Sequence, residues 1–315
     1  MSIKRETDLR DYINNIATGR REVKLSDMAK QVKTGFTFED DRLKAIGERL
    51  KKNCITLNSI EGTEFIMGIL TGFNKSFILN ETEYNKINWN ELEKTLIYKV
   101  LAGKDIKRYS KVLNKYMIMI PKGWTNKNKV NREAEEYVKI NLHNIYNHLI
   151  NSCESDNENK SIGLFERYNK GDYWWELRGF NGYDKFERGG ICYGSLQRTP
   201  TFCHTECRLT YLNTVYLVCS KNSKEVCNIL NSNIGFNIYK KFISNSELGD
   251  TVRVLLDVME NMLIPKDLEK LNGYTDRIQQ LKSENKDTSQ LEAEVEKIVQ
   301  ELYGLTDEEV EYLCK

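Results

Sequence analysis

Three prolines (Pro121, Pro200 and Pro265) and three histidines are all that this chain of 315 residues contains of either type. No stretch of eighteen apolar residues occurs, so no segment reads as a membrane-spanning helix. The opening MSIKRETDLRDY has no apolar signal core, which argues against secretion and for a cytoplasmic protein. The eight cysteines (54, 153, 192, 203, 207, 219, 227 and 314) lack the spacing of a small disulfide-stapled domain and are expected as free thiols. Cys192, Cys203, His204 and Cys207 match no common zinc finger or ribbon, so the three cysteines are read as small buried hydrophobes and no metal is expected. His143 and His148 lie five apart, off a common helical face, and are read as structural or exposed. Glycine-rich phosphate loops after a strand are missing, as is a Gly-x-Ser-x-Gly elbow. No acid pair followed by Glu-x-Lys stands out from chance acid-x-Lys triplets. The chain carries no convincing catalytic constellation.

What is present is charge and aromatic side chains in a particular arrangement. Net charge is +1, but it is unevenly spread. From Lys266 onward 7 Lys/Arg meet 13 Asp/Glu, leaving 40 of the chain's 47 cations against 33 of its 46 acids in residues 1–265. Such a body suits a polyanion, and such a tail is repelled by one. The stretch Gly171–Phe202, GDYWWELRGFNGYDKFERGGICYGSLQRTPTF, interleaves aromatic and basic residues among glycines. Two explanations fit it. One is a β-rich core segment with its charges in solvent; the other is a nucleic-acid face, with cations on phosphates and bidentate side chains on bases.

Along the chain, residues 1–34 read as helical, through Leu9, Ile13 and Ile16, with Ser26 at a second N-cap. Residues 39–53 form a charged amphipathic helix. FIMGILTGFNKSFIL (65–79) reads as strand, loop, strand around Thr71–Lys75, a plain turn or a phosphate-approaching loop. IYKVLAGKDIKRY (97–109) turns at Gly103 and then presents Lys104, Lys107 and Arg108; YMIMIP (116–121) is a short strand. Residues 131–150 read as one amphipathic helix, 153–162 as a polar loop, Thr210–Val218 as a strand and Val226–Phe242 as a helix. Val252–Leu263 is apolar-periodic up to Pro265. The stripes Leu268, Leu271, Ile278, Leu281 and Leu291, Val295, Ile298, Leu302 flank a turn at Asp287–Ser289. They predict an antiparallel helical hairpin with a face open for docking on another helix pair.

Taken in order, these segments resemble a known family. GILTGFNKSFIL (68–79), GKDIKRY (103–109), IYNHLI (145–150), YWWELR (173–178), ICYGSLQRTPTF (191–202), VCNILNSNIGFNIYKKF (226–242) and ELYGLTDEEVEYL (301–313) look like the ordered motifs of one domain. That domain is the TaqI-like C-terminal specificity, or target-recognition, domain of type II and type IIG adenine-specific DNA methyltransferases and restriction–modification enzymes. Lys104 stands where the family usually has Arg, and Tyr193 where it commonly has Trp. The methyltransferase domain that usually precedes this module, with its Asn-Pro-Pro-Tyr loop, has no counterpart in the sequence.

The resemblance implies an α+β fold: a mixed β-sheet recognition domain with flanking helices, followed by a C-terminal helical hairpin. Expected boundaries are 1–60 for a helical N-terminal segment, 61–250 for recognition and 251–315 for the hairpin. It also implies double-stranded DNA and an adenine methyltransferase subunit or domain as partners. S-adenosylmethionine is expected on that partner and no cofactor in this chain. Lys104, Lys107, Arg108, Lys240 and Lys241 are the expected phosphate positioners. Ser195, Gln197, Arg198 and Thr199 are the first candidates for base reading and Asn74 and Lys75 the second, because bidentate donors and acceptors distinguish base edges. Arg178 and Arg188 are open, and Trp174 and Trp175 are read as core. Two rival readings stand beside this one: a nuclease or small transferase with an unrecognised site, and a protein-interaction module docking through the C-terminal helices.

Overall fold

The structure is a computed structural model that describes residues 41–153, 163–180, 182–206, 209–244, 247–248 and 250–314, with backbone alone at 247–248. The expected helices of residues 1–34, Ser26 among them, and most of the polar loop 153–162 lie outside the described residues. The chain divides into two units, residues 1–49 and 50–315, and every described strand belongs to the second. The charged amphipathic helix expected over 39–53 is described as Asp41–Asn53 and crosses that division.

Among the described residues the chain forms fifteen short strands. The first seven are β1 (Cys54–Thr56), β2 (Glu64–Met67), β3 (Ile78–Asn80), β4 (Ile97–Leu101), β5 (Ile106–Lys107), β6 (Ser110–Lys111) and β7 (Lys115–Ile118). Next come β8 (Gly190–Gly194), β9 (Leu196–Gln197), β10 (Phe202–Thr205), β11 (Leu209–Tyr211) and β12 (Val215–Cys219). Last are β13 (Glu247–Leu248), β14 (Thr251–Arg253) and β15 (Leu263–Pro265). They build an antiparallel sheet β10-β8-β12-β2, a mixed sheet β11-β4-β7-β3, a small sheet β13-β14-β9, and the pairs β5-β6 and β1-β15. In the mixed sheet only β11 runs parallel to its neighbour β4. With helices around these sheets and at the C-terminus, the fold is α+β, as expected. One apolar core joins both four-stranded sheets, through Val100, Met117, Ile118, Cys192, Tyr211 and Leu217 among others.

Several elements end where buried polar side chains intercept the backbone. Residues 131–150 do not form one helix: Ala134–Asn141 and His143–Asn151 meet at Leu142, whose φ of −121° and ψ of 45° leave the helical region. The cause is Glu93, fully buried, whose carboxylate accepts from the Asn144 and Ile145 N–H groups at 2.6 and 3.0 Å. Those donors are thereby capped from outside the helix. Glu93 also closes a capping box with Asn90, as Glu83 does with Asn80, each an Asn-x-x-Glu spacing. The expected strand Thr210–Val218 is two strands in different sheets, β11 and β12, separated by the turn at Asn213-Thr214. Thr71–Lys75 is no hairpin turn, because Asn74–Phe77 forms a single helical turn before β3. The Val226–Phe242 helix divides into Ser223–Asn231, Asn233–Ile238 and a π-helical turn Tyr239–Ile243, with Ser232 capping the second piece through Gly235 N–H at 2.8 Å. Val252–Leu263 likewise resolves into β14, the short helix Leu256–Met259 and β15.

The C-terminal hairpin is present as helices Tyr274–Ser283 and Ser289–Tyr303, tied by Lys282–Glu292 at 2.9 Å. Its apolar face is not open. The buried register on the second helix is Leu291, Val295, Val299 and Tyr303 rather than one through Ile298 and Leu302. Glu296 caps Asn233 and Ile234 at 2.9 and 2.8 Å, and the Tyr303 hydroxyl donates to Leu263 O at 2.7 Å. The face expected to dock on another helix pair therefore docks on this chain's own helices and strands. No described helix is long and apolar enough to cross a membrane.

Candidate nucleic-acid interface

The GKDIKRY loop is held from within. Asp105 is buried, accepts from Ala102 N–H at 2.9 Å, and takes the Lys115 ammonium on both carboxylate oxygens at 2.6 Å. Gly103 approaches the Thr214 turn so closely that a Cβ there would stand 3.2 Å from Thr214 O. Tyr109 adopts a left-handed φ of 56° with its ring buried, its N–H on Phe202 O at 2.9 Å and its hydroxyl on Asn228 Oδ1 at 3.2 Å. A non-glycine residue holds such a conformation only when its surroundings fix it. The clamped loop turns Lys104 and Lys107 into solvent, without an ion pair among the described residues. Arg108 does otherwise. Its Nε donates to Glu292 at 2.6 Å, where it ties the loop to the C-terminal hairpin.

Beside this loop β8 ends, and the chain enters the second candidate. Ser195 N–H donates to Thr214 O at 3.3 Å, and Val254 N–H donates to Ser195 O at 2.8 Å. β9 then pairs with β14, Leu196 opposite Arg253 and Gln197 opposite Val252. Gln197, expected on base edges, is only 2% exposed. Its amide donates to Gly194 O at 3.3 Å and accepts from Thr201 N–H at 2.9 Å, bracing the turn from inside. Arg198 and Thr199 point outward. The Gln197–Arg198 pair is therefore split, one residue holding the loop and the other standing free of it.

A Cβ on Gly194 would lie 3.4 Å from Gly103 Cα, which brings Lys104 beside Ser195. The π-helical turn carrying half-buried Lys240 and exposed Lys241 adjoins the same region, since the Tyr239 hydroxyl donates to Arg253 O at 3.3 Å. The structure thus gathers Lys104, Ser195, Arg198 and Thr199 around one end of the sheets, with Lys107 on the β5-β6 hairpin against β10, while Lys241 lies within electrostatic reach of Cys314 at the end of the C-terminal helices. Asn74 and Lys75 are elsewhere. β3 and β4 both run antiparallel to β7 and so point the same way. Asn74 precedes β3 while Lys104 follows β4, so a strand length of roughly 16 Å separates the two ends. Arg178 shares the Asn74 end through Leu177 N–H on Ile120 O, and its guanidinium donates to Asn169 at 3.3 Å. Arg188 pairs with Glu64 at 3.2 Å before β8 begins, at the end of that strand opposite Ser195.

The aromatic YWWELR segment is a clasp. Trp175 is buried with its indole N–H on Thr125 Oγ1 at 2.9 Å, and half-buried Trp174 packs edge-on against Phe165. Glu176, fully buried, accepts from the N–H groups of Gly123, Thr125 and Asp172 at 3.0, 2.9 and 2.9 Å. Arg167 went unnoticed in the sequence. It is 1% exposed and donates to the carbonyls of Thr71, Leu164, Trp174 and Glu176, with Phe77 beneath its guanidinium at 4.6 Å. Burial pushes its pKa down to about 10, which leaves it charged at neutral pH. Arg253, also missed, is an exposed cation without an ion pair among the described residues. Its signal was the alternation Thr251-Val252-Arg253-Val254, a strand period inside a segment read only as apolar-periodic.

Among the described residues no group of three or more His, Cys, Asp or Glu could hold a metal ion; Cys207 lies outside them. Cys192 Sγ instead donates to Cys203 O at 3.2 Å, and His204 Nε2 meets Ser223 Oγ at 3.0 Å. His148 meets Ser76 O at 3.0 Å and His143 meets Asn147 at 3.0 Å.

Neither a protein-family model nor a curated protein matches the chain. Solved structures do. The fold is similar to part of the type IIL restriction–modification enzyme MmeI in complex with DNA, with a TM-score of 0.52 and 9% identity over 79% of this chain and 35% of that one. The type IIG restriction endonuclease BpuSI matches with a TM-score of 0.45 and 10% identity, over 94% of this chain and 36% of that one. The chain spans about a third of the length of either enzyme, and what it shares with MmeI is the fold of that third.

Proposed function

We propose that this chain is a duplex-DNA target-recognition module that directs an adenine-specific DNA methyltransferase of a restriction–modification system to its site. The observation that carries the reading is the meeting of exposed cations (Lys104, Lys107, Arg198, Arg253), none with an ion pair among the described residues, at one end of the sheets, on loops braced from within. Exposed cations gathered on one side suit the charge of a phosphate backbone, and those on a braced support suit base edges. The likeness to part of a DNA-bound restriction–modification enzyme supports it.

In this reading Lys104, Lys107, Lys240 and Lys241 hold phosphates, while Arg198, with Ser195 and Thr199 beside it, meets base edges. Gln197 acts through the turn it braces and Arg108 through the hairpin it anchors. Asn74 and Lys75, at the other end of the mixed sheet, would touch DNA only as a separate contact. The TaqI-like specificity domain is the finer assignment within this reading. Base extrusion and methyl transfer from S-adenosylmethionine belong to the partner methyltransferase, and this chain supplies the address.

The test is binding of the purified chain to a fluorescent duplex between 50 and 200 mM salt. Four phosphate contacts predict a slope of log K on log salt near −3.6 and about a hundredfold loss of affinity across that range. Binding that is absent, or indifferent to salt, would sink the reading.

A further inference from the structure

The two small strands β9 and β14 present one face to the core and the other to solvent. In an antiparallel pair, directly opposed residues share a face, and the next pair along takes the other. Gln197 and Val252 are opposed and buried, at 2% and 0% exposure. Leu196 and Arg253 are the adjacent opposed pair; Leu196 is 57% exposed and Arg253 is exposed without an ion pair among the described residues.

Arg253 stands on a firmer platform than Arg198, which lies in a bend. Both its neighbours in sequence, Val252 and Val254, are fully buried. Its own carbonyl takes the Tyr239 hydroxyl, and Val254 N–H is fixed on Ser195 O. A guanidinium on so fixed a backbone can hold a bidentate geometry, whereas a phosphate contact tolerates a mobile cation. The apolar neighbour matters too. Leu196, directly opposite, offers a surface for a thymine methyl or for excluding water beside the arginine fork.

Resting on the DNA-recognition reading above, we propose that Arg253 is a specificity-determining residue that reads a guanine edge in the major groove, with Leu196 packing against the neighbouring base. Arginine to guanine O6 and N7 is the contact its planar fork fits, and lysine cannot reproduce it.

The experiment is enrichment of sites from a randomised duplex pool by the full chain, the wild type compared with Arg253→Lys, Arg253→Gln and Leu196→Ala. Thermal unfolding of each variant confirms that the exposed substitutions leave the fold intact. Expected is a wild-type consensus containing a guanine that both Arg253 variants no longer select. Their affinity for the wild-type site should fall by about five- to 150-fold, and Arg253→Lys should keep the wild-type salt slope. Leu196→Ala should weaken preference at an adjacent position. If Arg253→Lys keeps the consensus and binds within twofold of wild type, Arg253 is at most a phosphate contact and the proposal falls, though the broader reading survives. If the wild type itself enriches nothing, the recognition reading fails and this inference with it.

Discussion

Asn231 and Phe202 exchange a reciprocal pair of hydrogen bonds: Phe202 N–H donates to Asn231 Oδ1 at 3.0 Å, and Asn231 Nδ2 donates to Phe202 O at 2.9 Å. A fully buried side-chain amide thus serves as an extra strand partner at the start of β10, where Tyr109 N–H joins the same carbonyl. The pair fastens the Ser223–Asn231 helix and the cation-bearing loop to one strand end. Asn231→Ala orphans a buried N–H, and should lower unfolding free energy by about 2–3 kcal/mol. Urea titration checks this, with an unchanged m-value and a lower midpoint. A loss under about 0.5 kcal/mol, the size of an ordinary surface change, would mean the pair does not fasten the elements.

Gln197 and Arg198 are neighbours with opposite expected phenotypes. Gln197→Ala removes both braces of its turn and should cost about 1–3 kcal/mol of stability. Arg198→Ala, on the surface, should leave stability within about 0.5 kcal/mol while reducing discrimination between duplexes by about 1–3 kcal/mol. Paired thermal-unfolding and binding measurements separate the two, and equal stability losses would contradict the geometry.

His204 gives the protein an acid-sensitive element. Burial, then the charge of Lys224, holds its imidazole pKa down at about 4 instead of 6.5. The unfolded chain therefore takes up a proton between pH 6.5 and 4 that the folded one refuses, so this residue's contribution to stability is full above pH 6.5 and declines towards pH 4. The loss attributable to it is on the order of 2–3 kcal/mol. A His204→Gln variant should lack this part of the decline. Urea titrations of both proteins at pH 7, 6, 5 and 4.5 decide it, and parallel curves would refute the assignment.

Arg167 is a buried cation met by four carbonyls, those of Thr71, Leu164, Trp174 and Glu176. Lysine keeps the charge but loses the planar fork that reaches several acceptors at once. Arg167→Lys should therefore destabilise by about 2–4 kcal/mol, read as a fall in thermal midpoint. A midpoint within a degree of wild type would show that the clasp does not depend on the fork.

How far the sequence could be read depended on how local each signal was. Asn80-x-x-Glu83 and Asn90-x-x-Glu93 carry a local helix-start signal, donor and acceptor lying within one turn, which went unnoticed in the sequence. The Tyr274–Ser283 and Ser289–Tyr303 helices were legible, their apolar residues recurring at the helical period. The break at Leu142 was not legible, since its cause, Glu93, lies some fifty residues upstream. Among candidate site residues, Lys104, Lys107 and Arg198 were recognised as basic and stand exposed. Nothing in the local pattern told Gln197 from Arg198, because which of two adjacent residues turns inward depends on the register of β9 against β14.

The sequence by itself determined the cation-rich body, the acidic tail and the two helices of the C-terminal hairpin, all properties of composition and short-range period, while the α+β class followed from the ordered motifs of the family it resembles. Only the tertiary structure decided which cations stand free. Arg108 and Arg188 are neutralised by Glu292 and Glu64, acids 184 and 124 positions away, while Arg253 emerges opposite Leu196 from a strand that the apolar period of its segment did not single out. An ion pair or a strand register is a relation between distant parts of the chain, and it exists only once the fold has brought them together.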